Sequence, residues 1–140
     1  MGGQDSPSVA DTFHNMACVY DNQSKYEEAL EMHAKSLAIR DRIYGDNHLD
    51  VAQSLNSIGT VLNKMGKPEE ALVHLQKGLE IRLKLLGNEH LHVAASYHNL
   101  RSVYYSQGQY EQALEYFQKD LDITVRLVGT TWTWPKALTT

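Results

Sequence analysis

An all-α fold of three helix-turn-helix repeats follows from three observations on the 140-residue sequence. A set of residues recurs at a constant interval of 42 positions, each interval holds two segments with apolar residues three and four apart, and a glycine-containing break separates them. A period of this length marks a stacked array, because one such unit cannot bury its own apolar face and must lean on the next. The dipeptide Val-Ala sets the register at Val9-Ala10, Val51-Ala52 and Val93-Ala94. Also identical in all three copies are Val19/Val61/Val103, Glu27/Glu69/Glu111, Ala29-Leu30/Ala71-Leu72/Ala113-Leu114, Lys35/Lys77/Lys119, Leu37/Leu79/Leu121, Ile39/Ile81/Ile123 and Gly45/Gly87/Gly129.

In chain order, residues 1–8 are an N-terminal segment. Asp5-Ser6-Pro7-Ser8 stands one period before Asn47-His48-Leu49-Asp50, so the segment reads as the remnant of an inter-repeat loop and the chain as a fragment of a longer array. Repeat 1 spans 9–50, repeat 2 spans 51–92, repeat 3 spans 93–129, and a tail occupies 130–140. In repeat 2, Val51, Leu55, Ile58, Gly59 and Leu62 share one helical face and define helix A. Gly66-Lys67-Pro68 interrupts it, with glycine suited to a left-handed helix end and proline to the first turn of the next helix. Helix B carries Ala71, Leu72, Leu75, Gly78, Leu79 and Leu85 at helical spacing, has Glu69 and Glu70 at the favourable end of its dipole, and stops at Gly87. Repeats 1 and 3 follow the same plan with Tyr26 and Tyr110 in place of Pro68. Six helices of about 15 to 20 residues result.

Small residues fall where paired helices must approach: Ala17 and Gly59 on helix A, Ala29, Ala71, Ala113, Ser36 and Gly78 on helix B. Large residues flank them at Phe13/Leu55/Tyr97, Tyr20/Leu62/Tyr104 and Leu75/Phe117, and are expected to fill the space between hairpins. Repeat 3 breaks the pattern twice, with Arg101 at the position of Ala17 and Gly59, and Asp120 at that of Ser36 and Gly78. The two are expected to pair across the last hairpin as part of a polar terminal cap.

Composition excludes several classes of function. Hydrophobic residues at 42% and charged residues at 21% describe a folding chain. Thirteen basic against seventeen acidic side chains leave a net charge of −4, so no overall field attracts nucleic acid or an anionic membrane. Apolar runs fall well short of the ~20 residues that span a bilayer. The first residues lack a signal peptide's basic and apolar regions, and the single Cys18 has no internal disulfide partner. A reducing, cytoplasmic setting is the expectation.

The residues do not assemble into a catalytic or metal motif. His48 and His90 occupy one loop position in two copies, His33 and His74 lie on helix B, and His90-Leu91-His92 with His98 has no carboxylate or cysteine at a zinc-binding spacing. Cys18 lacks the cationic neighbours of an activated thiolate. Phosphate-binding and nucleophile-elbow motifs are missing from the sequence. No cofactor, no metal and no enzymatic activity are expected.

The pattern of a large residue, a small one, an aromatic or Leu, Gly-x-Tyr, Ala-Leu, and a small residue before Leu resembles the tetratricopeptide repeat. Val-Ala-x-Ser-Leu-Asn at 51 to 56, Pro-Glu-Glu-Ala-Leu at 68 to 72, Leu-Glu-Ile-Arg at 79 to 82 and Leu-Gly-x-x-His at 86 to 90 are similar to the 42-residue repeats of kinesin light chains. The resemblance covers residues 5 to 129 and implies a short right-handed solenoid whose A helices line a concave groove. Helix A positions not needed for packing then become groove candidates: His14, Asn15, Cys18 and Asn22; Asn56, Thr60, Asn63 and Lys64; His98, Asn99, Ser102 and Tyr105. Asp11, Asp21 and Gln53 are assigned to the same face. Such a polar, nearly uncharged set can hydrogen-bond an extended peptide, although solvated helix faces also look like this. The recurrence of His14-Asn15 as His98-Asn99, with Asn56 between, favours a groove.

The resemblance thus implies a protein-interaction scaffold whose partner is a protein or peptide. Family members that clamp a terminal carboxylate, or hold acidic tryptophan-bearing cargo motifs, do so with basic groove residues, and here only Lys64 is basic. Neither specificity is expected. The tail contains Trp132 and Trp134, which either cover the last apolar face or insert into a neighbouring molecule. The second option makes end-to-end self-association the alternative function.

Overall fold

The computed structural model describes residues 5–128, and within them six helices and no strand. They are α1 (Pro7–Asn22), α2 (Tyr26–Tyr44), α3 (Leu49–Lys64), α4 (Pro68–Leu86), α5 (Leu91–Ser106) and α6 (Tyr110–Val128). Odd-numbered helices are the A helices, 16 residues each, and even-numbered ones the B helices, 19 residues each. Each A helix starts two residues ahead of its Val-Ala pair.

The residue before each A helix supplies its cap. Ser6 accepts from the Val9 amide at 3.2 Å, and the Nδ1 atoms of His48 and His90 accept from the amides of Asp50 and His92, each at 3.0 Å. The recurring loop histidine is therefore a helix cap, filling the role usually taken by Ser, Asp or Asn. Helices α2 and α4 start without a side-chain cap and place Glu27 and Glu28, or Glu69 and Glu70, in the first turn. Between the paired helices the chain turns through a residue with positive φ, Gly66 and Gly108 in two copies and Ser24 (φ 60°) in the first. A side chain in this conformation costs about 1 kcal/mol, which explains the glycine in the other two copies.

Each A helix packs on its own B helix, and each B helix on the following A helix. α3 also meets α5 and is tied to α1 by the Lys64–Asp21 pair, whereas among the described residues no comparable packing joins successive B helices. The A helices consequently form the inner side of the stack.

Within a hairpin the small residues set the helix separation. Ser36 is buried and donates from Oγ to the Ala10 carbonyl at 2.8 Å. At the equivalent Gly78, a Cβ would lie 3.2 Å from the Ala52 carbonyl oxygen. At Gly59 it would lie 2.5 Å from Leu75 Cγ, so the fully buried Leu75 occupies the space a side chain there would need. One continuous cluster joins Ile58, Leu62, Ala71 and Leu75 of repeat 2 to Leu100 and Val103 of repeat 3, with Leu30 and Leu37 of repeat 1 packed against it.

Polar groups also join the repeats through the core. Arg40, near the end of α2, has only 3% of its side chain exposed. Its Nη1 donates to the Asp50 carbonyl, Gln53 Oε1 and Ser54 Oγ at 3.0 to 3.2 Å, and its Nη2 donates to Asp11 Oδ1 at 3.0 Å. One period later, Arg82 donates to the His92 carbonyl at 3.1 Å and to Ser96 Oγ at 2.8 Å. Each guanidinium thus reaches from one repeat into the first turns of the next A helix. Thr124 stands at this position in repeat 3.

The paired-charge expectation for repeat 3 is overturned. Arg101 does not meet Asp120; its guanidinium lies 4.2 Å from the centre of the Phe117 ring and against the His98 ring. Asp120 instead accepts from Thr124 Oγ1 at 3.2 Å. The register explains this, since position 101 faces 117 just as Gly59 faces Leu75, while position 120 belongs to the layer in which Gly78 meets Ala52.

The two staples differ in strength. Replacing Arg40 by Met leaves four acceptors without their donor, one of them a carboxylate, and is expected to cost about 2–4 kcal/mol. Arg82→Met, which removes two neutral acceptors' donor, should cost less. Urea unfolding of the two variants checks the order, and equal losses would contradict it.

Candidate functional site

The candidate groove residues occupy corresponding positions on α1, α3 and α5. His14, Asn56 and His98 form one column, Cys18, Thr60 and Ser102 a second, and Asn22 and Lys64 belong to a third. Asn56, Thr60, Asn63, Asn99 and Ser102 are half-buried, while Asn15, Asn22, His98 and Tyr105 are exposed. The structure therefore places the twelve on the three inner helices, but their hydrogen-bonding capacity is far from equal.

Several are already engaged. Lys64 Nζ donates to both carboxylate oxygens of Asp21 at 3.0 Å, tying α3 to α1. The one basic candidate is thus neutralised in place. Thr60 and Ser102 donate their hydroxyls to the carbonyls of Asn56 and His98 in their own helices, leaving only lone pairs for a ligand. Tyr105 packs edge-to-face on Tyr110, with ring centres 5.5 Å apart. Asp11 and Gln53, assigned to the groove from their spacing, serve Arg40 instead.

Others keep unmet capacity. His14 Nδ1 and Asn56 Oδ1, in one column of neighbouring repeats, are shielded from solvent and have no hydrogen-bond partner among the described residues. Shielded groups without partners are uncommon and costly.

Beneath His14 lies His33 on α2, 2% exposed, with ring centres 5.1 Å apart and Nδ1 also without a partner among the described residues. It takes the place that Leu75 and Phe117 hold in the other repeats. Burial chiefly, with the neighbouring His14 adding to it, lowers its pKa from 6.5 to about 4. Burial and Arg40 also lower that of His14. Cys18 Sγ sits 3.8 Å from His14 Nε2, but burial and then Asp21 push the thiol upward, opposite to what an activated thiolate needs. Among the described residues no group of three His, Cys, Asp or Glu is arranged to hold a metal ion, and no helix is long and apolar enough to cross a membrane. Trp132 and Trp134 lie outside the described residues.

The sequence matches the tetratricopeptide repeat family over residues 8–84 and again over 51–124. The chain belongs to the tetratricopeptide repeat family. Its architecture is similar to that of BtubC (BKLC) from P. vanneervenii, with a TM-score of 0.82 and 22% identity, over 96% of this chain and 53% of that one. It is also similar to a Podosopora anserina protein described as a kinesin light chain with nearly identical TPR-like repeats. That match has a TM-score of 0.75 and 25% identity, over 93% of this chain and 60% of that one. A single-residue variant of the same Podosopora anserina protein gives 0.76, 25% identity, and coverage of 89% and 58%. No curated protein matches the sequence. This tetratricopeptide array is of the kinesin light chain-like type and spans somewhat more than half the length of these neighbours.

Sequence reasoning missed the residues that organise this face of the array, Arg40 and His33. The signal for Arg40 was available, because Arg40 and Arg82 share a column. For His33 it was the absence of a third large apolar residue beside Leu75 and Phe117.

A folded-state pKa below the ordinary value means the unfolded chain takes up the proton first. His33 therefore contributes stability that is whole above about pH 6.5 and is lost as the pH falls toward 4. The loss is expected to reach about 3 kcal/mol. His33→Leu, which restores the residue of repeat 2, should remove most of it; denaturant midpoints from pH 7.5 to 4 for both proteins measure the effect.

Proposed function

We propose that this array binds an extended peptide or partner segment along the inner face of α1, α3 and α5, as a non-enzymatic scaffold of a family whose repeats generally mediate protein–protein interaction. The observation that carries the reading is the column His14, Asn56 and His98, in which two successive side chains hold shielded polar atoms without partners among the described residues. An arriving main chain offers alternating N–H and C=O groups, which suit an imidazole and an amide able to donate or accept. With Lys64 held by Asp21, recognition rests on neutral hydrogen bonds and shape. A reducing, cytoplasmic setting suits a chain whose single cysteine is unpaired.

Peptide display against the intact protein, alongside Asn56→Glu/His98→Glu, tests the groove. Peptides that enrich only on the unaltered protein are expected. Equal enrichment on both, or none, sinks the reading.

A second reading, end-to-end self-association, has its own observation. Leu114 and Leu121 on α6 are 64% and 52% exposed, whereas Leu30, Leu37, Leu72 and Leu79 at the same positions pack against the core. Sedimentation of the protein over a range of concentrations should then show a dimer that Leu114→Lys/Leu121→Lys abolishes. A monomer at every concentration excludes it.

A further inference from the structure

The outer face of the array has a second candidate site. Between α2 and α4 runs an open groove of about 460 Å³, within the range of small-ligand sites. Its floor is Ile58 and Leu62 of α3, and its α2 wall combines Leu30 and Leu37 with Ala34 and Ala38. The corresponding space between α4 and α6 is filled from within: Tyr116 takes the position of His74, stacks on Tyr104 with ring centres 5.5 Å apart and planes 4° off parallel, and packs against the core. Gln76 and Glu80 stand there in place of Ala34 and Ala38. Two junctions built on one register thus differ chiefly in bulk, the first having Ala34, Ala38, Leu62 and His74 where the second has Gln76, Glu80, Tyr104 and Tyr116.

The rim says what kind of ring would enter. Asp41 and Glu70 flank the opening and neither takes part in an ion pair among the described residues. His74 Nδ1 lies 2.9 Å from the Glu70 carbonyl oxygen, which can only accept, so Nδ1 is the donor. In the neutral ring Nε2 is then an acceptor. An apolar floor, an acceptor on the wall and two carboxylates above describe a receptor for an aromatic side chain beside a cation.

We infer that the groove between α2 and α4 docks a partner peptide through a tyrosine ring followed by an arginine or lysine, the ring taking the place that Tyr116 holds in the next junction. This surface is separate from the inner face proposed above, and the two stand or fall independently.

The test uses acetyl-Tyr-Arg-amide as the probe on the isotope-labelled full chain, followed by backbone amide shifts. Saturable shifts at Ala34, Ala38, Leu62 and His74 are expected, with acetyl-Ala-Arg-amide inert. Acetyl-Tyr-Glu-amide should bind about threefold more weakly, or less, and Asp41→Asn should erase that preference. Ala34→Gln/His74→Tyr, which installs the residues of the second junction, should keep the helical spectrum and lose the shifts. Ala34→Gln alone, at an exposed position, serves if the double variant does not fold. Shifts confined to α1, α3 and α5, no saturable shift at all, or undiminished binding by the filled variant would overturn the proposal.

Discussion

Everything in this array depends on one constraint: a two-helix hairpin has two apolar faces and its partner helix covers only one. Burial at roughly 25 cal/mol per Å² favours stacking but is non-directional, and by itself does not fix how one repeat meets the next. Direction comes from the buried arginines. Arg40 and Arg82 each extend from the end of a B helix into the next A helix and bind a main-chain carbonyl and a serine hydroxyl there. Such bonds need a fixed distance and angle, so they set the register that the apolar contacts then fill. Burial pushes the Arg82 guanidinium below its ordinary value, because its partners are neutral.

The three copies share a frame and differ in what it holds. At the level where Gly59 admits Leu75, the first repeat sets Ala17 and His33, and the third sets Arg101 over Phe117. Each is a different solution to one spacing, with a small residue opposite a large one in two cases and a stacked cation in the third. The variation concentrates where it alters surface chemistry. Repeat 1 places a buried imidazole under the inner face, and the first junction leaves an opening on the outer face where the second has a pair of tyrosines. A repeat frame held by packing can change such positions without changing its architecture.

Charge on the inner face is balanced locally. Asp21 holds Lys64 and Asp11 holds Arg40, so the groove presents amides, hydroxyls and imidazoles more than ions. If the proposed groove binds a peptide, shape and hydrogen-bond geometry are then left as the basis of selection.

Register, helix count, helix lengths and the small-residue layers were all legible in the sequence, because they arise from a period that three copies state independently. That His14, Asn56 and His98 stand at corresponding positions of α1, α3 and α5 was legible too, since it follows from the period. What each side chain does there was decided only in three dimensions. Spacing placed Arg101 and Asp120 in one hairpin, yet the ridge between them put Phe117 under the arginine. Spacing offered Lys64 to a ligand, yet Asp21 on the neighbouring repeat reached it first. The loop histidines looked like repeat furniture and proved to be helix caps. Periodicity within one chain segment specifies which face a residue occupies, whereas its partner comes from another repeat across a distance that only the packed array defines.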